Sequence, residues 1–329
     1  MELINTFVQL GERMKTLVTD EPAIIGRARV ENPWFTEEMV KYSCLQWADI
    51  LQEKHIQGWL KGYKQVSEIK KVGIIMAGNI PFVGLHDLLS VVASGNCAIC
   101  KLSSQDKVLM KWIILTLQSI NPILNERITI ADERLNDIEA LIATGSDNSS
   151  RYFEYYFKDI PKIIRKNRCS VAILDENNSS EDLHKLADDI FIYYGLGCRN
   201  VGKVFLPKGY NVPSLIDHLE IYNDVINHHK YANNYTYHKA ILLMNLDKHL
   251  DNGFLIFQEK KEEIKPPLSN LFYTFYESKQ ELITTLSDNK TIQCIVGEGE
   301  GLVPFGSAQK PSLTDYADKV NTLEFLGSL

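Results

Sequence analysis

The chain has no long apolar run. Nowhere in its 329 residues does it approach the roughly 20 apolar residues that a membrane-spanning helix needs. Its opening, MELINTFVQLGERMK, lacks the basic start and apolar core of an export leader, so a cytoplasmic location is expected. Basic charge is in deficit, with 35 Lys and Arg against 42 Asp and Glu. A net charge of −7 argues against nucleic acid as the main partner, because phosphate binding needs a basic face. Cysteine is scarce, and six residues at scattered positions do not make a disulfide framework. Cys97 and Cys100 form a C-x-x-C, but GNCAICKLS has strand character. Residues three apart on a strand point to opposite faces, so the pair is read as structural and no metal site is expected. There is no internal repeat, no low-complexity linker and no G-x-G-x-x-G. The GEGEG at 297–301 has no convincing helix behind it and reads as a loop.

What is present is a globular composition, 45% hydrophobic and 23% charged, on a chain longer than one usual domain. Residues 1–66 read as helical, with Met39, Leu45, Trp47, Leu51 and Trp59 spaced among charges. The pattern then alternates. VGIIM (72–76) is a short β-branched run ending in the turn AGNIP. In FVGLHDLLSVVAS, Leu85, Leu88, Leu89 and Val92 form one helical stripe, with Gly95 as its stop. CAICK, RITIA, ALIAT and KIIRK read as further strands, separated by helical stretches at DKVLMKWIILTLQSI and Tyr152–Phe157. Such alternation predicts an α/β fold with a parallel sheet covered by helices on both faces. Gly78–Pro81 falls at the carboxyl end of the first strand, where such sheets bind ligands.

A second αβ block starts at SVAIL (170–174). Ser179 with Asp182 fits a capping box, and Leu183, Leu186, Ala187, Ile190, Phe191 and Tyr194 recur at the spacing of a buried helix face. Strands are expected at KVFLP and near 254–258, 271–276 and 291–296. The charged run EKKEEIKPP (259–267) reads as a solvated hairpin or connector.

Between that helix and KVFLP lies YYGLGCRNVGKVFLP, residues 193–207. Here Gly195 and Gly197 free the backbone and Cys198 sits on the turn. Arg199 and Lys203 are local cations able to favour a thiolate. This is a nucleophile's setting, although the spacing alone also fits a buried structural thiol.

The segments MAGNIPFVGLHDLLSVVASGNCAICKLSSQD, ATGS and GLGC, in that order, resemble the aldehyde dehydrogenase superfamily. AGNIP, CKLSSQD, HHKYANNYTYHKA and VPFGSAQKPSLTDYADKVNTLEFL bring the chain nearer to the long-chain acyl-CoA reductases, whose best-known members make fatty aldehyde for bacterial luciferase. The likeness covers nearly everything from Lys71 onward. It implies an aldehyde-dehydrogenase-like α/β fold of two αβ lobes, each with a mostly parallel sheet, and a cleft between them. Residues 1–168 would form the dinucleotide-binding domain, with 303–329 returning to it, and 169–302 the catalytic domain. Carried over by position, the resemblance makes Cys198 the nucleophile. Asn79 would supply an oxyanion-hole amide together with the Cys198 backbone N–H. Lys101 would contact the adenosine ribose and Gly145–Ser146 would open the helix near the pyrophosphate, with Pro81 and Ser103 in the same cofactor site. Taken singly, Asn79 also reads as a turn cap, Lys101 as a solvated strand end and Gly145–Ser146 as an ordinary helix start.

Two departures from the superfamily matter. Hydrolytic members carry a water-activating glutamate in the segment entering the catalytic lobe, whereas RKNRCSVAIL has no carboxylate before Asp175. An acyl-enzyme would then persist until another acceptor arrives. The position three after Lys101 is Ser104, neutral where NAD-preferring relatives often have an acid, and this favours NADPH, with NADH as second choice. The implied reaction is reduction of an acyl-CoA or acyl-carrier thioester to the aldehyde through acyl-Cys198. His184, His228 and His229 are candidates for the general acid, with none assigned. The aromatic-rich part from HHKYANNYTYHK to LFYTFY is read mainly as core, with an acyl pocket as the alternative. A homodimer is the default assembly, and an acyl-donating partner protein is a further expectation. Two alternatives stay open: an acyl-phosphate reductase, and a non-reducing acyl-transfer or scaffold protein.

Overall fold

The computed structural model describes residues 2–63, 65–131 and 134–329. The chain divides into two compact units, Met1–Asn167 with Ser312–Leu329, and Arg168–Pro311.

Unit 1 begins with four helices, α1 (Glu2–Asp20), α2 (Pro22–Glu31), α3 (Glu37–Ile50) and α4 (Glu53–Leu60). Phe7, Leu10, Met14 and Leu17 of α1 are buried, as are Met39, Val40, Cys44 and Ala48 of α3, against which α1 packs. Leu45, expected among the apolar positions, is 45% exposed on the opposite face. The alternating part follows as β1 (Lys71–Ile75), α5 (Leu85–Ser94), β2 (Cys97–Lys101), α6 (Lys107–Ile120), β3 (Ile128–Ile130), β4 (Ala140–Thr144), α7 (Asp147–Tyr156) and β5 (Lys162–Arg165). Its five strands lie in the order β3-β2-β1-β4-β5, every pair parallel. Parallel sheets are covered on both faces, which is why β4 is the unbroken apolar run ALIA, with all four side chains buried. α5 ends at Gly95, whose φ of 87° is the left-handed stop that glycine adopts without penalty.

Unit 2 runs β6 (Cys169–Ile173), α8 (Ser180–Phe191), β7 (Val201–Pro207), α9 (Val212–His218), α10 (His229–Asn245), β8 (Leu250–Asp251), β9 (Ile256–Glu259), β10 (Asn270–Tyr276), α11 (Lys279–Ser287) and β11 (Ile292–Val296). The strand order is β11-β6-β7-β10-β9-β8, parallel except for β8–β9. Val171, Ile173, Phe205, Leu286 and Ile292 form one buried cluster on this sheet. The capping box that opens α8 is formed: Ser179 Oγ accepts the Asp182 N–H at 3.2 Å, and Asp182 Oδ2 accepts the Ser179 N–H at 3.0 Å. Since β9 and β10 are parallel, residues 259–267 are a connector and not a hairpin. The sheet is irregular at one place. The β6–β7 register shifts between Ser170 and Val171, and the β11–β6 register shifts between Ile292 and Ile295, so both breaks fall beside Ser170.

Residues 303–311 group with unit 2, and the tail joins unit 1 only from Ser312. Three bonds explain the boundary. The buried Asp189 accepts the Gly306 N–H at 2.7 Å and the Ala308 N–H at 2.8 Å, and Gly297 donates to Val303 O at 2.9 Å. Beyond Ser312 the tail, with α12 (Thr322–Gly327), is clasped by unit 1. Arg165 pairs with Asp87 at 2.6 Å, and also donates to Ala317 O at 2.7 Å and Thr322 Oγ1 at 2.9 Å.

Candidate active site

Unit 1 places its nominated residues along one edge. In the order β3-β2-β1-β4-β5 the strands are added outward in one direction from β1 to β3 and in the other from β4 to β5, and ligands bind outside the carboxyl ends of the strands at such a switch. Gly78–Pro81 follows β1, Lys101 ends β2 with Ser103 and Ser104 just beyond, and Gly145–Ser146 joins β4 to α7. Asn79, Ser104 and Ser146 are exposed, Lys101, Ser103 and Gly145 are half-buried, and Pro81 is buried. Ser146 is the N-cap of α7, its Oγ accepting the Ser149 N–H at 3.3 Å. That turns the amide end of the helix, with its positive partial charge, toward the same edge.

The loop carrying Asn79 is pinned on both sides. Asn32 Nδ2 donates to Gly78 O at 3.1 Å, Ser43 Oγ to Pro81 O at 3.4 Å, and the Phe82 N–H to Asp106 Oδ2 at 2.8 Å. Phe82 is left-handed, with φ of 61°, and these bonds hold that uncommon conformation. Asp106 is buried, which pushes its carboxyl well above the usual range, and its Oδ1 has no partner among the described residues. A Cβ at Gly78 would come within 2.7 Å of Ser103 Oγ and 2.9 Å of Gln105 Cβ, so the β1 and β2 loops meet this closely only through glycine. An orphaned buried acceptor, a glycine-lined approach, a cation at Lys101 and serine hydroxyls fit a phosphate- and ribose-bearing dinucleotide. Asn32, Ser43 and Asp106 carry no motif of their own. Asp106 reads in sequence as a helix start, and its carboxylate instead reaches back 24 residues to Phe82.

Unit 2 holds Cys198, half-buried, between α8 and β7. The approach is strained: Tyr193, Tyr194 and Gly195 are consecutively left-handed, with φ of 61°, 54° and 80°. For the two tyrosines such a conformation costs about 1–3 kcal/mol each, and it persists only where surrounding bonds over-determine it. Asn200 supplies several of them. Its Oδ1 accepts the Gly197 N–H at 2.8 Å, and its Nδ2 faces the carbonyls of Asp189, Ile190 and Ile192. From the other side Ser170 Oγ donates to Cys198 O at 3.1 Å, lies 3.1 Å from Cys294 Sγ and accepts the Cys294 N–H at 3.2 Å. The two register breaks of the sheet re-aim backbone toward this serine.

The charges expected beside the thiol have other partners. Lys203 is fully buried, and its Nζ donates to Lys261 O at 2.8 Å and Glu263 O at 3.0 Å, 5.0 Å from the Phe205 ring centre. Burial pushes its pKa down to about 8. Arg199 Nε donates to Ala308 O. Asp175, the first carboxylate after residue 165, forms an ion pair with Lys279 at the carboxyl end of β6. Five extended residues separate it from Ser170, about 16 Å. Burial pushes Asp189 up to about 6, and both its oxygens accept backbone N–H groups.

Among the histidines, His228 lies 4.6 Å from the Tyr194 ring and caps α10, His229 stacks on it at 5.2 Å, and His184 neighbours His218 at 5.6 Å. Tyr231, Tyr235, Leu271 and Phe272 of the aromatic stretch are buried in the core, whereas Tyr237 is exposed. Cys97 and Cys100 are free thiols; Cys100 is fully buried, which pushes its pKa up to about 12. Among the described residues, no group of three metal-ligating side chains converges, and no helix is long and apolar enough to cross a membrane.

A family model described as acyl-CoA reductase (LuxC) matches residues 43–297, a span that includes both the Asn79 loop and the Cys198 turn. The chain belongs to the acyl-CoA reductase (LuxC) family. It is thus an aldehyde-forming oxidoreductase. No curated protein matches. Among solved structures, aldehyde dehydrogenase 21 from Physcomitrella patens, in complex with the reaction product succinate, is similar with a TM-score of 0.69 and 11% identity, over 91% of this chain and 73% of that one. An aldehyde dehydrogenase from Bacillus cereus in complex with NAD+ has a TM-score of 0.61 and 12% identity, over 88% and 70%. The NADP-dependent glyceraldehyde-3-phosphate dehydrogenase from Bacillus halodurans C-125, complexed with NADP, has 0.62 and 13%, over 89% and 72%. At such identities they show the fold alone, and the fold is that of the aldehyde dehydrogenases.

Proposed function

We propose that the acyl-CoA reductase reaction of this chain passes through a covalent thioester on Cys198 and uses NADPH. In this reading unit 1 is the dinucleotide-binding domain and unit 2 the catalytic domain. The Cys198 thiolate attacks the carbonyl of an acyl thioester. The tetrahedral oxyanion is held by the Asn79 side-chain amide and the Cys198 N–H, and it collapses with loss of the CoA thiolate. Nicotinamide, when bound, supplies the hydride that reduces the acyl carbon. The resulting thiohemiacetal breaks its carbon–sulfur bond, releasing aldehyde and restoring Cys198. Lys101, Ser103, Ser104, Pro81, Gly145 and Ser146 are assigned to the dinucleotide.

One observation carries the choice of reduction over hydrolysis. The half-buried thiol stands on a stapled turn, while Asp175, which follows β6, is paired with Lys279, and Asp189 of α8 accepts two backbone amides. With both of these carboxylates engaged and so poorly placed to activate water, an acyl-enzyme survives until reduced. NADPH is favoured because Ser104 is neutral and exposed, so nothing there repels a 2′-phosphate.

Incubation with a long-chain acyl-CoA and NADPH, followed at the reduced-nicotinamide absorbance, tests the reading. Cofactor oxidation is expected, with loss of more than about 1000-fold in Cys198→Ala. Labelling of Cys198 without NADPH oxidation would favour acyl transfer, and turnover with acyl phosphate alone would favour the acyl-phosphate reductase.

A further inference from the structure

Asn200 is 3% exposed, and its hydrogen bonds define what the nucleophile's turn leans on. Its Nδ2 lies 3.2 Å from Asp189 O, 3.1 Å from Ile190 O and 2.6 Å from Ile192 O, while its Oδ1 accepts the Gly197 N–H at 2.8 Å and its own N–H donates to Gly197 O at 3.1 Å. The first two carbonyls belong to the last turn of α8 and the third to the residue that follows it. A helix end of this kind carries carbonyls without intrahelical partners and the negative pole of the dipole. Left uncovered, those lone pairs would face the turn on which a sulfur anion has to form, and would disfavour it.

We propose that Asn200 is a positioning residue for the reaction, whose amide covers the carbonyl end of α8 so that the Cys198 turn is held and its thiolate is not opposed by the helix. This rests on the reading of Cys198 as nucleophile. The chemistry asks for an amide specifically. The side chain must donate to the carbonyls and accept from Gly197 at once, whereas an aspartate of the same shape donates nothing and adds a negative charge. The other titratable groups around the turn include Tyr193 and Tyr194 on its approach, Cys169 on β6, Asp188 and Asp189 on α8, Cys294 beside Ser170, Lys265 near Cys169, Arg199, and His228 against Tyr194. They are unaltered when Asn200 alone is changed.

The test compares the full-length protein with Asn200→Asp and Asn200→Ser. Iodoacetamide alkylation is followed at Cys198 by peptide mass spectrometry across pH, with the release of CoA on acylation measured in parallel. For Asn200→Asp the alkylation midpoint is expected to rise by about one pH unit or more. Acylation should fall about tenfold at neutral pH, with the deficit narrowing as pH rises. Asn200→Ser, which keeps one donor, should fall between. A folded Asn200→Asp protein whose alkylation profile overlays that of the unaltered protein overturns the proposal. Should neither variant fold, hydrogen exchange in the unaltered protein decides: a slow Gly197 amide supports the staple, and one exchanging at exposed-loop rates overturns it. Alkylation needs no substrate, so its outcome is separate from whether acyl-CoA labels Cys198.

Discussion

In unit 1, Asn79, Lys101 and Ser146 stand at or just beyond the carboxyl ends of β1, β2 and β4; in unit 2, Cys198 stands ahead of β7, at the amino end of its strand. The first arrangement is general to parallel sheets, where strand ends and a helix N-terminus offer donors to an anionic ligand without special side chains. The second has no such default. It is built from a left-handed turn, a buried amide, a buried hydroxyl and two register breaks. The sheet edge of unit 1 comes with the fold, whereas the Cys198 turn is held by bonds particular to it. The buried cations differ in the same way: Arg165 of unit 1 meets a carboxylate, and Lys203 of unit 2 meets carbonyls.

The strongest attempt to break this contrast is Arg165→Met. It leaves Asp87 buried without its partner and is expected to cost about 3–5 kcal/mol in the unfolding of unit 1, read by chemical denaturation. Alkylation of Cys198 should continue undisturbed if unit 2 is self-sufficient. Next, Asn79→Ala should slow acylation about 100-fold, near 3 kcal/mol, leaving NADPH affinity in place, as stopped-flow release of CoA and a fluorescence titration would reveal. A smaller effect concerns Lys203. Its folded pKa is held down at about 8 against an ordinary 10.5. Between those values the unfolded chain binds more protons, so stability should climb as pH rises through the window, by on the order of 2 kcal/mol. Below that window Lys203 is charged in both states and adds no slope. Thermal melts of Lys203→Met, lacking that climb, supply the check. The mildest change is Ser104→Asp, expected to shift the NADPH-to-NADH ratio of kcat/KM about tenfold toward NADH through repulsion of the 2′-phosphate.

Much of the architecture was legible because its causes are local. The capping box at Ser179 and Asp182, the stripe from Leu183 to Phe191 and the stop at Gly95 each involve residues within a few turns of one another. The β-branched runs announced the parallel strands, and the glycines around Cys198 marked its turn. What stayed hidden depends on contacts far along the chain. Nothing near Asp106 advertises Phe82, and nothing near Ser170 advertises Cys294, 124 residues away. Lys203 could be read as a neighbour of the thiol only until its strand was seen to point it at Lys261 and Glu263. The path of the tail is hidden for a similar reason: Gly306 and Ala308 donate to Asp189, and their backbone amides carry no trace of that in sequence.

The clasp of Arg165 on Ala317 and Thr322 makes unit 1 discontinuous, with all of unit 2 made in between. During synthesis, then, the second unit has every residue it needs while the first still waits for its last segment. A chain ending at Pro311 would hold every residue of the second unit, and a first unit whose buried arginine has its aspartate but lacks the closing strap.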